Sequence, residues 1–279
     1  MPNFIYEMPN FLLFFLICAV SIIISVVSMS LISRYLSMSM RNSMNEVAGY
    51  ISATISMIYA IFFGFMALYL LENFDIAANS VEKEATVLNS IYHSSKVLPQ
   101  SICREVQNEV EDYITVVLNH DWPSMVLDTD AGEESEQVLD KILMTLYNIH
   151  SKNSSDIMTL FILQEMIKEV KSMYEYRDKR LMMSHAALGA DFWVVILLGA
   201  FLTIGVNYFF GMHFHFHVLS VIAVSIAVSS ILFLLIAIDR PYIGDFSVKS
   251  EGFEKLLAEI KKDKIKGSCT SAMLSENLE

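Results

Sequence analysis

The chain of 279 residues is short of cysteine, of positive charge and of every familiar catalytic motif. Its three cysteines, Cys18, Cys103 and Cys269, lie far apart and show no paired spacing of a zinc or redox centre, so free, reduced thiols are expected. Lysine and arginine number 19 against 31 acidic residues, a formal net charge of -12, and no basic stripe exists. Nucleic acid is therefore excluded as a partner, because phosphate binding needs clustered cations that release counterions. No phosphate loop, dinucleotide glycine fingerprint, nucleophile elbow or His-Glu-x-x-His is present, so neither an enzyme nor a cofactor is expected. Strand alternation, internal repeats and glycine-rich segments are missing too, which leaves an all-α fold.

What the chain does have is apolar residues, 54% against 18% charged, gathered in long runs. Phe11 to Ser33, Val47 to Leu71, Phe192 to Phe210 and His217 to Ile238 each lack Asp, Glu, Lys and Arg. Each approaches the ~20 residues that a helix needs to cross a bilayer. The first run has no preceding Lys or Arg and no small-residue cleavage site, so it is expected to stay attached. Lys168, Lys171, Arg177, Lys179 and Arg180 approach the third run, and Arg240, Lys249 and Lys255 follow the fourth, while the short connections carry only Arg34 and Arg41. The positive-inside rule then places both termini and the large middle segment in the cytoplasm. Tyr208 and Phe209 would mark the outer interface and Trp193 the inner one.

The expected organisation is residues 1–71, spans one and two; 72–191, a cytoplasmic antiparallel helical bundle inserted between spans two and three; 192–238, spans three and four; and 239–279, a cytoplasmic tail. Phe74, Ala77, Ala78, Val81, Ala85, Leu88 and Ile91 carry span two onward as one amphipathic helix to a stop at Pro99. Ile102 to Val117 forms a second helix, Asp128 to Glu136 an acidic loop, Val138 to Ile149 a short third helix, and a fourth runs from about Ile157 straight into span three. In the tail, Phe253, Leu256, Leu257 and Ile260 form a short helix before a polar, disordered end from Lys261.

Asp128-Thr129-Asp130-Ala131-Gly132 begins like a calcium loop, but the glycine comes one place early and a third ligand is missing, so a solvated loop is favoured. His213, His215 and His217 alternate, and on an extended backbone all three would share one face, as a metal site requires; a polar turn between interfacial aromatics is the favoured reading. No Asp, Glu, Lys or Arg lies within the spans, which argues against proton-coupled pumps and voltage sensors. Neutral rows occur instead: Ser21, Ser25 and Ser28 on span one, and Gly49, Ser52 and Ser56 on span two, continued by Tyr59 and Phe63. Such rows either pack helices together or line a narrow pore with an aromatic gate.

Gly64 to Pro99, with Phe74-Asp75-Ile76-Ala77-Ala78-Asn79-Ser80-Val81-Glu82-Lys83-Glu84-Ala85 and Val97-Leu98-Pro99, resembles the bacterial bestrophin-like membrane proteins. So do Arg180 to Gly211, with Trp193 and Gly199, and Leu234 to Phe253, with Asp239-Arg240-Pro241-Tyr242-Ile243-Gly244 and Val248-Lys249-Ser250-Glu251-Gly252-Phe253. The chain departs from that pattern at Leu188-Gly189, where Leu-Pro is expected. The resemblance implies a symmetric homo-oligomer in the lipid bilayer whose second span lines a central pore for inorganic ions, as in bestrophin anion channels. Ser52, Ser56, Tyr59 and Phe63 are then the candidate pore-lining residues. Glu84, Asp239, Arg240, Pro241 and Gly244 are motif residues for a structural role at the cytoplasmic membrane face, where either Glu84 pairs with Asp239 and Arg240, or Glu84 is one charge on a solvated helix face and Asp239-Arg240 only an interfacial stop. An acidic cytoplasmic domain would concentrate cations and leaves the ion open. The alternative is a non-conducting membrane scaffold or sensor whose helical domain binds partners; metal handling by the histidines is a third.

Overall fold

The computed structural model describes residues 6, 8–152, 157–266 and 269, and among them every regular element is a helix. The chain divides into two compact units, Met1–Phe74 with Ala186–Ser247, and Asp75–His185 with Val248–Glu279. One helix, α3 (Asn45–Ser95), contributes to both.

The first unit contains α1 (Asn10–Tyr35), α2 (Met38–Ser43), the first part of α3, α8 (Ala190–Val206) and α9 (Phe214–Ile238). Of these, α1, α3, α8 with its following turn, and α9 are long and apolar enough to cross a membrane. As helices they pair their backbone groups within each segment, as lipid requires. Their outer faces confirm the need for an apolar surround: Phe11, Ile23, Phe201 and Phe216 are 62–76% exposed. Helices α1 and α9 pack along their length, and inside that contact Ser225 Oγ donates to Ser25 Oγ at 2.8 Å. Both serines are buried, so the hydroxyls satisfy each other across the interface.

The second unit holds the rest of α3, α4 (Gln100–Val116), a π-helical turn at Val117–Asp121, α5 (Trp122–Val126), α6 (Glu133–Lys152), α7 (Ile157–Ser184) and α10 (Glu251–Lys266). The expected stripes are buried in this unit: Ala77, Val81, Leu88 and Ile91 on α3, Val106, Val110 and Tyr113 on α4, and Leu139, Ile142 and Leu146 on α6, the last two helices packing on each other. Phe253, Leu256 and Ile260 bury the apolar face of α10, and the Phe253 ring lies edge-on to Trp122, 6.3 Å between centroids.

Four expectations are corrected. Helix α6 begins at Glu133, inside the supposed acidic loop, because Glu133, Glu134 and Glu136 sit in its first turn, where carboxylates complement the helix dipole. Helix α7 stops at Ser184 and does not run into span three; α8 starts afresh after Gly189, whose φ of -60° and ψ of 153° end the extended link. Helix α10 continues through Lys261 to Lys266, since Asp263 accepts from Lys96 Nζ (2.7 Å) and Tyr92 OH (3.2 Å), and Lys264 Nζ donates to Asn108 Oδ1 (2.8 Å). Finally, Cys103 and Cys269 are not free thiols but are joined in a disulfide, with Cα atoms 6.0 Å apart across 166 residues of sequence; Cys18 is free and buried. Residues 270–279 of the expected polar end lie outside the described residues.

Candidate functional site

The neutral row on α3 turns toward its own unit. Tyr59 and Phe63 are buried, pack edge to face 5.7 Å apart, and belong to the core with Trp193, Ile196 and Ala200 of α8; Ser52 and Ser56 are half-buried beside them. Gly199 makes this packing possible, because a Cβ there would overlap the Tyr59 ring. Tyr59 and Phe63 thus pack in one core with a neighbouring helix of the same chain. At 100° per residue the opposite side of α3 is centred on Thr54, Ile61, Phe65 and Leu68, and the last three are 52–65% exposed. Beside this stripe runs a flank of small residues, Gly49, Ala53, Ala60 and Gly64; nothing lies within 4 Å of a Cβ placed at Gly49 or Gly64.

The three histidines do not converge. The backbone is helical from Phe214, so alternate residues point to different sides; His213 and His215 are exposed, whereas His217 is 2% exposed. His217 Nδ1 lies 3.4 Å from Arg41 Nη1, and its Nε2 lies 2.9 Å from the Asn207 carbonyl oxygen. Arg41 must donate, so Nδ1 accepts and Nε2 carries the hydrogen. Asn45 exchanges two hydrogen bonds with the Gly211 backbone, 2.6 and 3.1 Å, and completes a clasp between the 36–44 and 207–213 connections. In the Asp128 to Gly132 stretch, Asp128 contacts His185 Nδ1 at 3.0 Å, and the Gly132 carbonyl accepts from the buried Arg177 guanidinium. Among the described residues no group of three or more His, Cys, Asp or Glu is placed to hold a metal ion.

Asp239 organises the far end of the same unit. Its Oδ2 accepts from Tyr6 OH at 2.6 Å and its Oδ1 from the Leu188 backbone N–H at 2.8 Å, at 1% exposure. Burial raises the Asp239 carboxyl above the usual range, and burial together with the Asp239 contact raises the Tyr6 phenol. The Arg240 guanidinium stacks 5.1 Å from the Tyr6 ring centroid. Pro241 follows where α9 has ended at Ile238, and Gly244 closes the turn at φ +91°, where a Cβ would lie 2.9 Å from the Tyr6 carbonyl oxygen. Asp239, Arg240 and Gly244 thus tie the start of the chain, the entry to α8 and the exit of α9 together.

Glu84 has a separate role in the second unit. Its carboxylate accepts from Arg180 Nε (2.8 Å), Arg180 Nη2 (3.2 Å) and Tyr113 OH (2.6 Å). Arg180 Nη2 also donates to Asp121 Oδ2 at 2.9 Å, from the π-helical turn. Arg180 and Glu84 are fully buried and Asp121 is 1% exposed. Burial opposes the Arg180 charge, but the Glu84 and Asp121 carboxylates outweigh it and hold the guanidinium above its usual value; burial and the Glu84 charge push the Tyr113 phenol far up. Sequence reading counted Arg180 as a topology signal and missed Tyr113 and Asp121. The available clue was Glu84 itself, three residues after Val81 and four before Leu88, on the stripe that becomes core.

Four apolar helices with lipid-ready outer faces, joined by polar clasps at their ends, define an integral membrane protein. The chain belongs to the bestrophin-like family, whose domain model matches residues 19–253. A crystal structure of a single-substitution variant of a bacterial bestrophin homologue from Klebsiella pneumoniae superposes with a TM-score of 0.69 at 9% identity, covering 90% of this chain and 99% of the homologue. A second variant of that protein gives 0.68 at 10% identity, covering 91% and 99%. A crystal structure described as a membrane protein gives 0.63 at 10%, covering 92% and 98%. At these identities the likeness is one of fold. No curated protein matches the chain by sequence.

Proposed function

We propose that this chain is the subunit of a homo-oligomeric, passive ion-conducting membrane protein of the bacterial inner membrane, with α3 around the axis. The second unit and both termini face the cytoplasm, as the Lys and Arg placement favours. The observation that carries this reading is the free face of α3. With Tyr59 and Phe63 spent on α8, the stripe Thr54, Ile61, Phe65 and Leu68 is left exposed among the described residues. The flank of Gly49, Ala53, Ala60 and Gly64 suits close approach of a second α3. Copies set side by side this way surround an axis with rings of apolar side chains, which gate by dewetting and need no charge inside the membrane.

The test is flux into liposomes loaded with purified protein, with potassium and chloride gradients run separately. Phe65→Ala removes the bulkiest side chain of the stripe and is expected to raise flux, whereas Phe63→Ala leaves selectivity intact and destabilises the fold by about 3–5 kcal/mol, because it empties a core position. Absence of flux of either ion from a well-folded oligomer would move the assignment to a scaffold or sensor.

A further inference from the structure

The tail helix is held by ordinary contacts along α10 and by one covalent link beyond it. Three residues past the end of α10, Cys269 is bonded to Cys103 in the first turn of α4. Cys103 is fully buried and Cys269 is 8% exposed, so the pair is enclosed rather than open to solvent. Phe253, Leu256 and Ile260, with the Asp263 and Lys264 contacts, dock α10 whether or not this bond exists. The bond adds one thing the helix contacts lack, a dependence on redox state.

We propose that Cys103 and Cys269 are a reversible thiol–disulfide modification site that latches the end of the chain onto α4. The proposal rests on the cytoplasmic placement of the second unit given above, since a reducing compartment keeps such a pair as thiols until oxidant rises. Cys269, beyond the last helical turn, is the thiol that local fraying exposes first. Its thiolate attacks a low-molecular-weight disulfide such as oxidised glutathione and expels one glutathione thiolate. The Cys103 thiolate then attacks Cys269 Sγ and expels the second. Two cysteine thiols are oxidised, one external disulfide is reduced, and the two protons pass to the departing thiolates. Reduced glutathione reverses both steps.

The test uses the purified full-length oligomer in detergent, equilibrated across glutathione buffers of graded redox ratio. Thiols are trapped by alkylation under denaturing conditions and counted by mass, and hydrogen exchange of residues 251–266 is read on the same samples. Expected is joint loss of alkylation at Cys103 and Cys269 with Cys18 unchanged, and slowing of exchange in α10 by at least about tenfold on closure. Cys103→Ser and Cys269→Ser should each abolish both changes. Thiols that stay alkylatable at every ratio in a folded oligomer, or closure without slower exchange, would overturn the latch and leave the placement untouched. Acid-quenched cells supply the second arm: thiols during growth and a disulfide after diamide support the switch. A disulfide present throughout growth would overturn both the placement and the switch.

Discussion

Glu84 illustrates how much one side chain can decide. A carboxylate without solvent is tolerated here because Arg180 and Tyr113 fill its valences, and Arg180 in turn spans to Asp121. Glu84→Gln leaves the guanidinium buried with half its compensation, and a loss of about 3–5 kcal/mol is expected in chemical denaturation. Adding Arg180→Met to that variant should cost less than the sum of the single changes, the mark of a direct pair. Glu109 is the opposite case. It is 3% exposed, its Oε1 accepts from Thr145 Oγ1 at 2.9 Å and lies 3.7 Å from the exposed Lys141 Nζ, its Oε2 has no hydrogen-bond partner among the described residues, and burial outweighs these contacts and raises its carboxyl above the usual range. The folded state therefore holds this proton more tightly than the unfolded one. Stability from Glu109 is full below the ordinary glutamate range and falls as pH rises through the raised value. Glu109→Gln mimics the protonated form, so thermal scans should show it more stable than the parent at neutral pH and equal to it in acid.

Among the elements, the break before α8 is the most instructive. Apolar spacing on either side of residues 185–189 reads as one helix, and only the missing proline of the family pattern, at Gly189, hints at an end. The structure supplies the reason for the end: the Leu188 N–H is taken by Asp239 from 51 residues away, a partner that local spacing cannot reveal. Gly189 already has a proline-like φ, and a Cβ there would meet only Phe192 Cδ2 at 3.8 Å. Gly189→Pro is accordingly expected to stabilise by about 0.4–1 kcal/mol, by restricting the unfolded chain, with unchanged flux. On α3 the limit of sequence reading was rotational. Periodicity found a neutral row and an apolar row, but which one meets α8 depends on where Gly199 makes room for Tyr59.

At the scale of the molecule, the all-α class, four membrane-length helices and the bestrophin-like kinship were legible, because uncharged runs and the Asp239 to Gly244 block are local signals. The three histidines show the converse: alternation invited an extended backbone, and helix from Phe214 separated them. Long-range pairings such as Cys103 with Cys269 depend on which helices meet and leave no trace in spacing. The aromatic contact of Trp122 with Phe253 has a practical consequence. The chain has two tryptophans, Trp193 in the core of the first unit and Trp122 against the tail helix in the second. With Trp193→Phe, intrinsic fluorescence comes from Trp122 alone, and its emission becomes an optical reporter of whether α10 is seated, readable in real time, in a vesicle, without any label.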